Sequence, residues 1–321
     1  MPENTQAIQP SETVPLLQRP WAVVAFTVFA CALWGSAFAF VKLGYELFDI
    51  ASDSPAQQLL FAGMRFTLAG LMVLVGTAIA RRSWPVPAKE DLVPITLLAL
   101  SQTTLQYAPF YIGLAHASGT NSALVQGTSA FISILVATLV FRQEHLSARK
   151  LAACLMGIGG VALVTFRDGG SLGSFSLDGE GLIVVSVTCG AVATCLMRRY
   201  GRKGDPFTLT GYQFLLGGSA LVLIALLMGG RIHTCPPAAI GVLCYLAALS
   251  ATAFSIWSCL LKYNPVSHIA VYRFFIPSFG VLFSIVFLGE RLAPSQVPFI
   301  AGALLLITCG TIIVNTQKGE A

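Results

Sequence analysis

Between Leu92 and Phe141 the chain runs for 50 residues without one Asp, Glu, Lys or Arg. About 20 residues of α-helix cross the roughly 30 Å of a bilayer core, so this run is too long for one crossing and suits two. The small polar break Ala117-Ser118-Gly119-Thr120-Asn121-Ser122 divides it, and a tight helical hairpin is the simplest reading. Composition extends the point to the whole chain. Only 10% of the 321 residues are charged and 55% are hydrophobic, against about 25% charged in soluble domains. That excludes a soluble globular chain, which could not cover its surface, and a disordered one, which would lack the apolar mass. The net charge of +5 is spread over short segments, which argues against nucleic acid as a partner.

Ten apolar runs reach crossing length: Trp21 to Tyr45, Gln57 to Ala80, Leu92 to Ala115, Asn121 to Phe141, Lys150 to Phe166, Gly181 to Arg199, Thr208 to Gly229, Ala238 to Leu261, Ser267 to Leu288 and Ser295 to Asn315. They are continuously apolar, whereas barrel strands alternate with period two over about ten residues. The expected fold class is therefore an all-α integral membrane protein with ten transmembrane helices. Residues 1–20 lack the basic segment of a signal peptide and read as a disordered tail, and 316–321 as a second tail. No later loop exceeds about 15 residues, so chemistry is expected among the helices.

Lys and Arg in short loops set orientation. With the N-terminus inside, 13 of the 19 fall on the inner side, among them Arg81, Arg82, Arg142, Arg149, Arg198, Arg199, Arg202 and Lys203. Lys42, Arg167, Arg231 and Arg291 fall outside, and Arg65 and Arg273 lie within spans. Both termini are expected in the cytoplasm.

The two halves echo each other. Gly63-Met64-Arg65-Phe66-Thr67-Leu68-Ala69-Gly70 in helix 2 aligns with Gly211-Tyr212-Gln213-Phe214-Leu215-Leu216-Gly217-Gly218 in helix 7. Ala99-Leu100-Ser101-Gln102-Thr103 aligns with Ala248-Leu249-Ser250-Ala251-Thr252, and the segment ending Glu144-His145-Leu146 with the one ending Glu290-Arg291-Leu292. An odd number of crossings per half turns the second half upside down, and an inverted pair is suited to alternating access. The expected domains are residues 21–166 and 180–315.

With Ala32-Leu33-Trp34-Gly35-Ser36-Ala37-Phe38, Arg65-Phe66 and the two helix-Glu-x-Leu-helix hairpins, the chain resembles the drug/metabolite transporter superfamily, and within it bacterial carriers with two EamA-type repeats. The resemblance implies a ten-helix, exporter-like carrier of small metabolites, often amino acids or their derivatives, in a bacterial cytoplasmic membrane. Members often carry a proline in the middle of helices 4 and 9. Here helix 9 has Pro277 while helix 4 has Phe131, so the halves are expected to bend differently.

Arg273 is the leading substrate ligand. An arginine in mid-span costs roughly 2.5 to 3.5 kcal/mol on insertion scales and so faces a partner or a wet cavity, and its planar fork suits a carboxylate or phosphate. The plainer reading has it snorkelling or capping carbonyls freed near Pro277. Tyr272, Trp34, Tyr107, Tyr111, Gln126 and Trp257 are the candidate cavity walls, with Tyr107 and Tyr111 on one face of helix 3. Arg65 is expected to be a packing or topology residue, with Lys42 or helix-1 carbonyls beside it, and Lys42 to sit at the C-terminal dipole of its own helix. Glu144 and Glu290, on opposite sides, are read as caps of the helices that follow them.

No span has an Asp or Glu in its middle, and the four histidines and eight cysteines form no metal-ligand spacing. No cofactor, metal or catalytic residue is expected. The partners expected are a small-molecule substrate and the lipid bilayer, with a homodimer left open. The leading function is a secondary carrier of a small polar or amphipathic metabolite. Its rivals are a membrane-embedded enzyme and a channel-like protein.

Overall fold

The computed structural model describes residues 16–117, 122, 125–165, 176–288 and 297–315. Among them no strand occurs, and the chain folds into helical stretches. These are α1 Pro20–Leu47, α2 Pro55–Arg81, α3 92–116, α4 Val125–Val140, α5 Ala148–Thr165, α6 Leu177–Gly201, α7 Pro206–Leu227, α8 Pro237–Tyr263, α9 266–288 and α10 Val297–Asn315. By length and composition six of them can each cross a membrane: α1, α2, α6, α7, α8 and α9.

The boundaries follow local chemistry. Pro20, Pro55, Pro206 and Pro237 open α1, α2, α7 and α8, where the missing N–H costs nothing and the fixed φ suits the first turn. Asp205 caps α7 by accepting the Thr208 N–H at 2.9 Å. Its carboxylate also meets Arg81 at 2.7 Å, tying the end of α2 to the start of α7. Burial alone would raise the Asp205 carboxyl, but Arg81 and the Thr208 donors outweigh it and hold it below the usual range.

Four details depart from simple continuous spans. Inside α3 the six residues Ala99–Thr104 form a π-helical stretch, Val136–Val140 ends α4 in the same way, and Leu177–Gly181 opens α6. In α9 a 3-10 turn, Val271–Phe274, precedes Phe275–Leu288. Pro277 has no N–H to return to Arg273, four residues earlier, so the helix tightens there. The expectation of a disordered tail to residue 20 needs correction at its end. Leu16–Gln18 is a 3-10 turn, and the Leu17 carbonyl accepts from Asn264 at 2.8 Å. Residues 1–15, the tail 316–321 and Glu290 lie outside the described residues.

Glycine sets the central packing, between α2 and α7. A methyl group built on Gly70 would come within 2.6 Å of the Leu215 nitrogen and 2.8 Å of the Gly211 carbonyl. One built on Gly63 would reach the Gly218 carbonyl at 2.9 Å, and Gly218 in turn abuts Thr67. Rising numbers on one helix meet falling numbers on the other, so the pair is antiparallel. Without a hydrophobic drive between helices in lipid, such close backbone approach is what holds them. Gly157 likewise admits the Phe274 ring, whereas a methyl group on Gly159 would meet Leu306 at 3.8 Å.

The remaining pairings recur in matched form. α1 packs on α8 and α9 as α6 packs on α3 and α4, α2 meets α8 as α7 meets α3, and α5 pairs with α10. This brings α1, α2, α3, α4, α8 and α9 around one central space.

Candidate functional site

The central space encloses about 50 Å³. Its walls are Trp34, Ala37 and Phe38 from α1, Arg65 from α2, Gln106, Tyr107 and Phe110 from α3, Gln126 from α4, Phe254 from α8, and Arg273 and Ile276 from α9. Two of these eleven residues carry a positive charge and none a negative one.

Arg273 stands on the 3-10 turn before Pro277 and is 7% exposed. Its guanidinium lies over Trp257 at 4.5 Å and Trp34 at 5.5 Å, a cation–π arrangement on two ring faces. The two indoles meet edge to face at 5.0 Å, which fixes the platform. One Nη donates to Thr194 Oγ1 at 3.3 Å, and the buried Nε has no hydrogen-bond partner among the described residues. Gln126 Oε1 and the Trp34 ring nitrogen, on the same wall, are also buried without one. A buried charge that lacks acceptors is costly, because its alternative is full hydration.

Arg65 is placed differently from the sequence expectation. Neither Lys42 nor the helix-1 carbonyls bind it. Its Nε donates to Ser250 Oγ at 2.9 Å and to the Leu246 carbonyl at 3.2 Å, and Nη1 donates to the Tyr111 hydroxyl at 2.8 Å. It is 1% exposed, lies over Phe66 at 5.1 Å, and joins α2 to α8 and α3 while contributing to the cavity wall. Lys42 instead donates to the Ala117 carbonyl at 3.2 Å, capping the C-terminal end of α3 and not of its own helix.

Of the expected cavity walls, Trp34, Tyr107 and Gln126 line the space. Tyr111, Trp257 and Tyr272 stand behind it. Tyr111 is fully buried and also takes the Tyr45 hydroxyl on its backbone carbonyl at 2.9 Å. Trp257 supports Arg273 from the side, and the Tyr272 carbonyl accepts the Cys31 thiol at 3.2 Å. Thr194, Ser250, Phe254 and Ile276 complete the arrangement and were not singled out by sequence, since their residue types are ordinary in apolar helices. Arg65 and Arg273 are brought together at one space, although they come from opposite halves of the chain.

Glu144 also differs from expectation. It does not cap the helix that follows it; the Ser147 hydroxyl accepts the Lys150 N–H there at 3.3 Å. One Glu144 oxygen pairs with the Lys150 ammonium at 2.8 Å, and the other accepts the Ser267 N–H at 3.2 Å, in the first turn of α9. The carboxylate thus ties the loop after α4 to α9, across the two halves. Burial would raise its pKa, but Lys150 and the Ser267 donor outweigh burial and lower it.

Residues 21–166 and 177–316 each match the model of the EamA-like transporter family. The chain belongs to the EamA-like transporter family. It is accordingly a multi-pass membrane protein of the drug/metabolite transporter superfamily. An uncharacterized transporter of Archaeoglobus fulgidus is 30% identical over 89% of this chain and 94% of its own length. The uncharacterized transporter YvbV of Bacillus subtilis is 27% identical over 90% of each, and protein PecM of Dickeya dadantii 25% identical over 91% and 94%. A protein of known crystal structure shares the fold with a TM-score of 0.72 at 17% identity, over 92% of this chain and 98% of its own. In an EamA-like protein the arginine-bearing space at the centre of the bundle is the natural place to look for the transported solute.

Proposed function

We propose that this EamA-like protein is a secondary transporter that moves a small carboxylate-bearing metabolite, an amino acid or a related amphipathic compound, by alternating access, in the export direction. The observation that carries the reading is Arg273: a buried guanidinium held on two indole faces, with a free Nε and no carboxylate on the surrounding wall. A substrate carboxylate supplies the missing acceptors in a bidentate geometry. For an amino acid, Gln126 Oε1 is the available acceptor for the ammonium group, and Phe38, Tyr107, Phe110 and Phe254 offer the apolar body a dry surface.

The helices act as two inverted five-helix halves, residues 21–166 and 180–315. The matched pairings support this, and so does the α2–α7 seam, where Gly63 faces Gly218 and Gly70 faces Gly211. Gly63 and Gly70 align with Gly211 and Gly218 in the repeat, so the contact exchanges equivalent residues as a pseudo-two-fold requires. Both termini are assigned to the cytoplasm from the loop charges. Solute-sized sites run to roughly 300–1,000 Å³, so entry requires the wall helices to part. The 3-10 turn ahead of Pro277 is the joint at which α9 yields, carrying Arg273 with it. Glu144, bonded to Ser267, fastens the basic end while that joint is shut.

The test is solute counterflow into liposomes containing the purified protein, with amino acids and simple carboxylates as solutes. Saturable exchange of at least one, with a KM raised in Arg273→Gln, is the expected result. Turnover of a solute without net flux, or flux with an unchanged KM in Arg273→Gln, rejects the reading. Because both guanidiniums line the wall with no opposing carboxylate, a second reading is an exchanger of organic anions. It is distinguished by preference for a dicarboxylate over its amino-acid analogue in the same assay.

A further inference from the structure

A second pocket, of about 560 Å³, lies at the basic end of the bundle, away from the central space. Phe141 and Gln143, just after α4, form one side. Arg198, Arg199, Arg202 and Lys203, at the end of α6, form the other. The sequence reading placed all four on the inner side, with the net charge spread over short segments; in the fold these four cations share one cavity wall.

None of the four forms an ion pair among the described residues, although Asp91 lies beside Gly204, next to Lys203. Only two ion pairs form there, Arg81 with Asp205 and Lys150 with Glu144. Glu144 is the carboxylate within electrostatic reach of Arg198, and both of its oxygens are already used. Arg198 is positioned by donating to the Asn264 carbonyl, and Gln143 by donating to the Cys195 carbonyl at 2.9 Å. These bonds fix the frame of the pocket, while Arg199, Arg202 and Lys203 remain exposed at its rim. Four like charges around one concavity repel one another, and an anion placed among them relieves that repulsion.

The surroundings select the anion. Leu139 and Val140, immediately before Phe141, are 63% and 68% exposed. In a membrane protein such side chains face acyl tails. The pocket therefore opens where a cationic wall meets a lipid-facing apolar one, the arrangement that takes a lipid headgroup between helix ends.

The geometry points to a binding site for the headgroup phosphate of an anionic phospholipid, held by Arg199, Arg202 and Lys203 against the frame of Arg198 and Gln143, with the acyl chains along Leu139 and Val140. Occupancy would pin the end of α6 to the loop after α4, the segment that also carries Glu144.

Thermal unfolding of the full chain in neutral detergent tests this, with added phosphatidylglycerol, phosphatidylcholine or inorganic phosphate at equal concentration, and native mass spectrometry counting bound lipid. Phosphatidylglycerol is expected to raise the midpoint and to bind at one site, and the other two are not. In Arg199→Gln/Arg202→Gln/Lys203→Gln the affinity for phosphatidylglycerol is expected to fall at least about tenfold. Arg231→Gln, a charge removed elsewhere, is expected to bind as the unmodified protein does. Equal stabilisation by phosphatidylcholine or by inorganic phosphate overturns the lipid assignment. Undiminished phosphatidylglycerol binding in the triple variant overturns the site. Should the triple variant fold poorly, Leu139→Gln/Val140→Gln serves instead. It keeps every cation, and unchanged lipid binding in it equally refutes the proposed seat.

Discussion

Arg65 and Arg273 carry the same charge and line the same space, and both are buried, at 1% and 7% exposure. They differ in what they have bonded. Arg65 commits Nε and Nη1 to α8 and α3, through Ser250, the Leu246 carbonyl and Tyr111. Arg273 makes a single 3.3 Å bond, to Thr194, and rests otherwise on aromatic faces. Desolvating a guanidinium is costly either way. For Arg65 the protein supplies the compensation, and the result is a strut. For Arg273 the compensation is incomplete, and under the proposed function the solute completes it. The repeat sharpens the contrast, because Arg65 aligns with Gln213. Gln213 occupies the matching α7–α3 contact and bonds Thr103 at 3.1 Å and Gln102 at 3.3 Å. A neutral amide suffices there as a strut, so the role at that position is structural in both halves.

The comparison breaks first at Arg273. Arg273→Gln is expected to raise the KM for transport by about 30-fold or more, the equivalent of about 2 kcal/mol, because a buried charged contact to solute is lost. The thermal midpoint should stay near that of the unmodified protein. A large loss of stability with an unchanged KM would make Arg273 a strut as well.

Arg65→Gln should show the reverse pattern. Losing charge-assisted bonds to Ser250 and Tyr111 is expected to cost about 2 kcal/mol in detergent unfolding, with the KM of the folded fraction moved less than that of Arg273→Gln. Tyr111→Phe should cost about 1 kcal/mol alone and much less in the Arg65→Gln background. That non-additivity, read from a four-protein cycle, measures the strut directly.

The frame that sets the two arginines at one depth is the α2–α7 seam. Gly70→Ala puts a methyl group 2.6 Å from the Leu215 nitrogen, and backbone cannot step aside as a side chain can. The expected cost is about 1–3 kcal/mol. Gly76→Ala, with nothing within 4 Å of the added carbon, is the control and should be near neutral. Equal behaviour of the two would mean the seam is looser than its geometry indicates.

How these roles related to the sequence depended on the range of the interaction. The charge of Arg273 stood out because a lone cation in an apolar span has few explanations, and the glycines of the seam were visible in the repeat. Arg65 was read as a packing or topology residue, but its partners were not visible, since they are a main-chain carbonyl and two hydroxyls supplied by other helices. Tyr111 was read as cavity wall for the same reason: a face of α3 can be assigned from spacing, but not which neighbour covers it. The π-helical stretches in α3, α4 and α6 left no trace, because a shift of hydrogen-bond register has no residue signature in Ala99–Thr104 or Val136–Val140, and Leu177–Gly181, with Asp178 and Glu180, lies ahead of the span expected from Gly181. Glu144 looked like a local cap, and its second partner, Ser267, is 123 residues away.

That distant contact makes the smallest of the expected effects, and its sign can be worked out. The Glu144 carboxyl is held below its usual pKa by Lys150 and the Ser267 N–H, against the opposing effect of burial. A carboxylate with a depressed pKa in the folded state contributes stability above its unfolded value, about 4.3, and loses it as pH falls through the folded value. The midpoint of unfolding should therefore be level from neutral pH to about pH 5 and fall below about pH 4.3, and the Glu144→Gln variant should be lower at neutral pH and fall less steeply on acidification. Because Glu144 reaches from the first half to the first turn of α9, the same variant should also loosen the basic end without touching either arginine. Hydrogen exchange should rise in Val266–Ala270 and stay unchanged around Arg65. Exchange that rose equally around both arginines would mean that the strut and the solute ligand are held by one common frame, and the distinction between them would then lie in their bonding alone.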